Sequence, residues 1–146
     1  MTDKILIAVD GSEYSRKALE FACKMAIKFD GELHIVHVPQ GIAADRVMVL
    51  GGASIMIHAT KEQLEAAGRQ LVEAAAGIAA DAGCANVKTE LRGGDPATEI
   101  LASADEHEAD YIVIGSRGLG DFSGILLGSV SHKVNHSASC TCITVH

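Results

Sequence analysis

The chain has 146 residues and a formal net charge of −7 at neutral pH, and 48% of its residues are hydrophobic. This length suits one globular domain, so we expect residues 1–146 to form a single domain. The acidic charge disfavours nucleic acid and anionic membranes as partners, and a set of two Tyr, three Phe and no Trp offers no stacking platform for single strands. Because no secretory leader precedes the first predicted strand and no apolar run approaches the roughly 20 residues of a membrane helix, we expect a cytoplasmic protein.

The first half of the chain alternates short apolar runs with helical patterns. Residues 5–9 have the pattern of a strand buried on both faces, which ends at Asp10. A helix with apolar residues from Ala18 to Phe29 follows, and a second strand is predicted over 33–38. We expect a loop over 40–54 and a long helix over 55–82, ended by a glycine. The predicted apolar stripe of that helix consists of Leu64, Ala67, Leu71, Ala74, Ala75 and Ile78.

The second half repeats the alternation. A strand is predicted over 87–91, and Asp95-Pro96 predicts the N-cap and first residue of a helix that ends near 108. Strands over 111–114 and 140–145 flank a last helix that begins with Ser129 as its cap. Four β-α units and a final strand predict an α/β, doubly wound, Rossmann-like five-stranded parallel sheet with helices on both faces.

The glycines that follow the fourth strand form the most informative motif. Gly115, Gly118, Gly128 and Ser129 have the spacing G-x2-G-x9-G-S, between a buried strand and the start of a helix. Glycines let the backbone approach a ligand closely, and the N–H groups at a helix start attract anions. In a doubly wound sheet, ligands bind at the carboxyl ends of the strands, where Asp10 also lies. The motif therefore predicts a phosphate-binding site at that edge.

At these residues the chain resembles the nucleotide-binding branch of the universal stress protein family, which has an adenine nucleotide alpha hydrolase-like fold. The resemblance rests on KILIAVDGS at 4–12, ADYIVIGSRG at 109–118 and GSVS at 128–131, and it extends over essentially the whole chain. The complete glycine motif is typical of the members that bind ATP. The resemblance therefore implies ATP and Mg²⁺ as ligands.

The resemblance also implies a role for residues at the base end of the nucleotide. Asp10 would hold the ribose and adenine end. Ala8 and Val9 would line the base pocket, although many members have proline near Ala8. The main chain of Val38 would meet the adenine edge.

At the other end of the nucleotide, Gly115, Arg117 and Gly118 would surround the ribose and phosphates. N–H groups and hydroxyls would bind the phosphates, and Mg²⁺ would neutralise the remaining charge. In this reading Ser129 would have to share its hydroxyl between capping the helix and binding phosphate. The phosphate donors implied by the resemblance are Gly128, Ser129, Val130 and Ser131.

The end of the chain departs from the family pattern. Relatives often have Cys-Pro-Val here, whereas this chain has Cys140-Thr141-Cys142, which restores a backbone donor at Thr141. The resemblance implies that the last strand pairs antiparallel with its copy in a second subunit. We therefore expect a homodimer, because pairing removes an open sheet edge.

Structural roles are alternatives for several of these residues. Asp10 before a glycine also suits a turn, Arg117 also suits a solvated loop charge, and His37 suits a histidine satisfied within the core. His132 and His136 lie four residues apart, but without the H-E-x-x-H pattern we predict no metal ligand. The four cysteines show no C-x2-C spacing and suit small buried residues.

No catalytic residue is predicted. The chain lacks the G-K-[ST] of a P-loop and the G-x-S-x-G of a nucleophile elbow. We therefore expect an ATP-binding regulatory dimer of the stress response, with a possible protein partner, rather than a dedicated enzyme. Two alternatives stay open: a slow ATP hydrolase or transferase, and a scaffold dimer whose site is empty or takes AMP or cyclic AMP.

Overall fold

The computed structural model describes residues 2–40, 46–50, 53–57, 60–118 and 128–146. Helices and strands alternate along most of this chain, as the sequence predicts. None of the described helices is long and apolar enough to span a membrane. In chain order the elements are β1 (Lys4–Ala8), α1 (Glu13–Phe29), β2 (Glu32–His37), β3 (Arg46–Leu50), β4 (Ala53–Ile57), α2 (Lys61–Ala82), β5 (Val87–Leu91), α3 (Pro96–Glu106), β6 (Tyr111–Gly115), α4 (Ser129–Ser137) and β7 (Thr141–Val145).

Five strands form one parallel sheet in the order β5-β2-β1-β6-β7. Strand β1 lies at the centre, where Ile5 pairs with Leu33 of β2 and Tyr111 of β6. The chain first adds strands on the β2 side and then crosses to the β6 side, so the strand order reverses between β1 and β6. The predicted doubly wound parallel sheet is confirmed, and its switch point lies between these two strands.

The central strands are apolar on both faces because helices cover both faces of the sheet. Ile5 and Ile7 pack with the buried faces of α1 and α2. Leu6, between them in β1, packs on the opposite face with residues of α3 and α4. All three side chains are at most 1% exposed. This two-sided burial explains why the strands appear as continuous apolar runs in the sequence.

Local signals fix most helix ends. The Ser12 side chain accepts a hydrogen bond from Ser15 N and caps α1. The predicted cap of α3 is confirmed, since Asp95 accepts from Thr98 N and Pro96 is the first helical residue. The predicted stop of α2 is also confirmed, because Gly83 adopts a left-handed conformation with φ of 106°.

The predictions for 40–54 and 55–82 are partly wrong. The structure has an antiparallel pair of strands, β3 and β4, in place of the loop and of the first turn of the helix. Helix α2 begins only after Thr60, whose side chain forms a capping box with Gln63. The hairpin was foreseeable, because two apolar runs flank Gly51-Gly52, which is a two-residue turn signal. Residues 41–45, 51–52 and 58–59 lie outside the described residues.

The predicted apolar stripe of α2 is shifted around the helix. Its buried residues are Gly68, Val72, Ala75 and Ala79, whereas Ala74 is exposed and Ile78 is 45% exposed. The large residues of the predicted stripe, Leu64, Leu71 and Ile78, are half-buried or exposed. The helix instead places small residues against the sheet: a Cβ on Gly68 would come within 2.7 Å of Leu91 Cδ1.

Candidate functional site

A cavity of about 640 Å³ opens at the carboxyl ends of the strands, beside the switch point between β1 and β6. It has the size of a small-molecule site, for which about 300–1,000 Å³ is usual. The structure brings every residue that the sequence analysis assigned to a nucleotide to the wall of this one cavity. These residues are Ala8, Val9, Asp10, Val38, Gly115, Arg117, Gly118, Gly128, Ser129, Val130 and Ser131.

Asp10 forms the turn that follows β1 and also lines the cavity. Its Oδ1 accepts from Ser12 N at 2.8 Å, and its own N–H donates to Ser15 Oγ at 3.0 Å. A Cβ built on Gly118 would lie 2.5 Å from Asp10 Oδ2, closer than any real contact. The turn role and the cavity position are therefore compatible, and the carboxylate is held where only glycine fits beside it.

Gly115 has a packing role that the motif does not reveal. A Cβ at this position would lie 2.8 Å from the carbonyl carbon of Tyr14 and 3.0 Å from the backbone nitrogen of Ser15. Both atoms belong to the backbone of α1, which cannot move as easily as a side chain. The glycine therefore allows the start of α1 to pack against the end of β6, in addition to lining the cavity.

The side chain of Arg117 is not simply solvated, and its hydrogen-bond donors are not all paired. Its guanidinium carbon lies 5.5 Å from the centroid of the Tyr14 ring, within the range of a cation–π contact. Its Nε is buried and has no hydrogen-bond partner among the residues that the structure describes. Because buried donors usually find an acceptor, this nitrogen is a candidate donor to a ligand in the cavity.

The last helix begins one residue earlier than predicted. Gly128, not Ser129, is the N-cap of α4, and His132 N donates to Gly128 O at 2.9 Å to form the first helical bond. Ser129 is the first helical residue, so the predicted competition between its capping and phosphate-binding roles does not arise. Since glycine has no side chain to cap the helix, the first N–H groups of α4 have no side-chain acceptor among the residues that the structure describes. They lie at the positive end of the helix dipole, against the cavity.

The hydroxyl of Ser131 is engaged within the protein. It donates to Ser116 O at 2.8 Å and approaches Gly128 O at 3.0 Å, and the residue is 2% exposed. This hydroxyl therefore joins the start of α4 to the residue that follows β6, and its donation to phosphate stays a prediction. Its main-chain N–H belongs to the uncapped first turn, and Ser129 is exposed.

His37 lies at the other end of the cavity. Its Nδ1 is 2.6 Å from Val9 O, and because a carbonyl only accepts, this nitrogen donates. The ring is therefore hydrogen-bonded within the protein, which is the structural alternative that the sequence analysis gave for His37. It also lines the cavity.

Several apolar cavity residues were missed by sequence reasoning. They come from α2 and α3, which the glycine motif does not include. The one available signal was a glycine in the middle of a predicted helix, since Gly68 costs about 1 kcal/mol relative to alanine and so suggests close packing. The missed residues include Leu64, Gly68, Leu71, Pro96 and Ile100.

The four cysteines are free thiols, and the surroundings of Cys23, Cys140 and Cys142 disfavour the thiolate. Burial raises the pKa of Cys142 to about 11 and also raises the pKa of Cys140. Burial, together with the neighbouring Cys84, raises the pKa of Cys23 to about 12. Since the thiolate is the nucleophile, these values argue against reactive cysteine chemistry at neutral pH.

Comparisons with known proteins agree in one family. The family model described as "Universal stress protein family" matches residues 1–146. Universal stress protein YxiE of Bacillus subtilis is 35% identical, over 99% of each chain. A solved structure of a universal stress protein from Archaeoglobus fulgidus has a TM-score of 0.75 at 27% identity, covering 100% of this chain and 95% of that one. A structure from the same organism in complex with dAMP has a TM-score of 0.70 at 26% identity, covering 100% and 98%.

Proposed function

Since the chain belongs to the universal stress protein family, we propose that it binds ATP with Mg²⁺ and acts as a small regulatory dimer in the stress response. The family expected from the sequence motifs is confirmed. The observation that carries the proposal is the single cavity, which unites the Asp10 turn after β1 with the uncapped start of α4.

The base end of the cavity suits an adenosine. Val9 and Val38, which follow β1 and β2, are apolar lining residues that are 5% and 6% exposed. Leu64 and Ile100 add apolar surface from the two helices. Asp10 provides a fixed carboxylate, which suits ribose hydroxyls because these are donors. The dAMP held by the relative from Archaeoglobus fulgidus supports an adenine nucleotide as the class of ligand.

The phosphate end suits an anion in spite of the net charge of −7. The N–H groups of Ser129, Val130 and Ser131 form the uncapped first turn of α4, and Arg117 adds a cation whose Nε has no partner within the described part of the chain. Fixed backbone dipoles attract phosphate at short range whatever the overall charge. Asp10 is the one carboxylate among the described lining residues, so Mg²⁺ would be held mainly by the phosphates.

The open edge of the sheet supports a homodimer. Within the described part of the chain, β7 pairs on one side with β6 and lies at the edge of the five-stranded sheet. Its residues are exposed or half-buried throughout. Antiparallel pairing of β7 with its copy would cover this edge.

A regulatory role fits the site better than fast catalysis. The titratable residues that line the cavity are Asp10, His37 and Arg117, and the first two are engaged in the turn and with Val9 O. No nucleophile paired with a base lies among the described lining residues. A slow ATPase or transferase, and a scaffold that takes AMP or cyclic AMP, are the competing functions. The cytoplasmic location, a regulatory protein partner and a single domain over 1–146 stay predictions.

A thermal-unfolding panel tests the proposal. Nucleotide-free protein is heated with Mg²⁺ and ATP, ADP, AMP, cyclic AMP or GTP. A ligand at 100 times its dissociation constant adds roughly 2.7 kcal/mol of stability. We expect the largest shift with ATP and none with GTP. A larger shift with cyclic AMP would favour the scaffold, and no shift with any adenine nucleotide would contradict the proposal.

A further inference from the structure

A second cluster of chemically active side chains lies on the α3 face of the sheet. It consists of His34 on β2, Glu90 on β5 and His107 after α3, whose candidate ligand atoms all lie within 4.8 Å of one another. None of the three lines the nucleotide cavity. Their positions in the sequence, 34, 90 and 107, gave no spacing signal, because the sheet brings them together.

Two of the candidate ligand atoms form a hydrogen bond in this structure, since His34 Nε2 is 3.0 Å from Glu90 Oε2. That separation is close to the roughly 3.3 Å between ligand atoms of a tetrahedral zinc site with bonds of about 2.0–2.1 Å. The His107 ring lies tilted against the His34 ring, with centroids 4.0 Å apart and an interplanar angle of 34°.

The surrounding hydrogen bonds orient these ligands. His107 Nδ1 lies 2.8 Å from Ser103 O, so Nδ1 carries the proton and Nε2 has a lone pair available. Ser103 Oγ donates to Glu90 Oε2 at 2.6 Å and holds that carboxylate. Bonds of this kind, from a ligating histidine to a carbonyl and to a ligating carboxylate, are the usual support of metal ligands.

A second, independent observation in favour of a metal site concerns the ring of His34. Its side chain is 8% exposed, and its Nδ1 is buried without a hydrogen-bond partner among the residues that the structure describes. Because the Glu90 carboxylate only accepts, His34 Nε2 carries the ring proton in this structure. If an ion takes the place of that proton, the ring can carry its proton on the unpartnered Nδ1 and present the Nε2 lone pair to the ion beside Glu90.

The charge around the cluster also suits a dication. Arg92 contacts Glu90, Glu99 and Glu106 at 2.7–2.9 Å. Three carboxylates and one guanidinium leave a formal charge of −2, which one divalent ion would neutralise. Two imidazoles with one carboxylate favour zinc and its neighbours over Mg²⁺ or Ca²⁺, which prefer oxygen ligands.

We propose that His34, Glu90 and His107 bind a divalent transition-metal ion of the zinc class at a site separate from the nucleotide cavity. The ion would tie β2, β5 and the end of α3 together. The site uses none of the residues assigned to ATP, so metal binding can be tested independently of nucleotide binding.

Calorimetric titration of zinc into tag-free, chelator-treated protein without nucleotide tests the proposal. We expect one ion per chain, and at least a tenfold loss of affinity in His107→Gln. The matched control is His136→Gln, because His132 and His136 on α4 form an exposed pair with ring centroids 6.4 Å apart that offers a rival surface site. Wild-type affinity in His107→Gln, or loss of binding in His136→Gln, would overturn the proposal.

A measurement on the unmodified chain keeps the test decisive if His107→Gln does not fold. Long-range proton–nitrogen correlation spectra report on each histidine ring separately. Zinc should shift the ring-nitrogen signals of His34 and His107. Shifts confined to His132 and His136 would overturn the proposal, as would the absence of any shift.

Discussion

Replacing Gly118 by alanine should weaken nucleotide binding with little effect on the fold. The new Cβ would lie 2.5 Å from Asp10 Oδ2 and 3.8 Å from Asp10 Cγ, which are the contacts within 4 Å that the described residues make beyond the chain neighbours of Gly118. The side chain of Asp10 must therefore turn away, because its carboxylate is easier to move than backbone. The backbone of Gly118 does not lie in the left-handed region, so alanine adds no further strain there.

The size of the effect follows from the interaction that is displaced. A hydrogen bond to a charged group contributes about 1.5–3 kcal/mol, and each 1.4 kcal/mol changes affinity about tenfold. We therefore expect Gly118→Ala to weaken binding about 10- to 150-fold. Asp10 lies at the end of the ligand that all adenine nucleotides share, so ATP, ADP and AMP should lose the same factor in calorimetric titrations.

Gly93→Ala is the matched control. A Cβ at Gly93 meets no atom of the described residues within 4 Å, so this variant should bind ATP like the wild type. Unchanged affinity in Gly118→Ala would refute the placement of Asp10 against the nucleotide. A loss confined to ATP would refute it as well, because that result would assign Asp10 to the phosphates.

Four further variants test separate parts of the structure. Gly128→Val should abolish ATP binding with the fold retained, measured by calorimetry and circular dichroism, since its φ of −62° accepts a side chain. Asp10→Ala should weaken ATP, ADP and AMP alike in the same titrations. Gly115→Ala should lower the free energy of unfolding in urea by about 1–3 kcal/mol through its clash with Tyr14. Hydrogen bonds from Thr98 lower the pKa of Asp95 from 3.8 to about 2, so Asp95→Ala should lower the unfolding temperature above pH 4, with the difference vanishing toward pH 2.

Each of these four has a contradicting result. Normal ATP affinity in Gly128→Val would remove the start of α4 from the site. Selective loss of ATP in Asp10→Ala would place that carboxylate at the phosphates. Wild-type stability of Gly115→Ala would mean that α1 does not pack tightly on β6. A difference for Asp95→Ala that stays constant down to pH 2 would mean that the ionised carboxylate is not what caps α3.

The parts of the fold that the sequence predicts are those with strong local signals. Ile5 and Ile112, in two central apolar strands, are 0% exposed, and such runs are typical of sheets that helices cover on both faces. Asp95-Pro96 determines the start of α3 in the same local way. The position of the site at one edge of the sheet follows from the topology, because the carboxyl ends of parallel strands meet at one edge. The eleven site residues were implied by the family resemblance, and the structure brings all of them to one cavity wall.

The features that the sequence analysis missed depend on contacts between residues that lie far apart in the sequence. Whether Ser129 or Gly128 caps α4 depends on the bond between Gly128 N and Ser116 O, which joins the helix to β6. The buried face of α2 depends on the close approach of Gly68 to Leu91. The cluster around His34 joins three distant segments. A single sequence read locally contains none of these pairings.

The central claim is that the uncapped start of α4 and the turn at Asp10 hold one adenosine triphosphate between them. Calorimetric titration of Mg²⁺ and ATP into protein shown to be free of nucleotide tests it most directly. The account predicts saturable binding of one ATP per chain, with weaker binding of AMP because AMP lacks the phosphates that reach α4. Absence of heat together with an unchanged unfolding midpoint would contradict it.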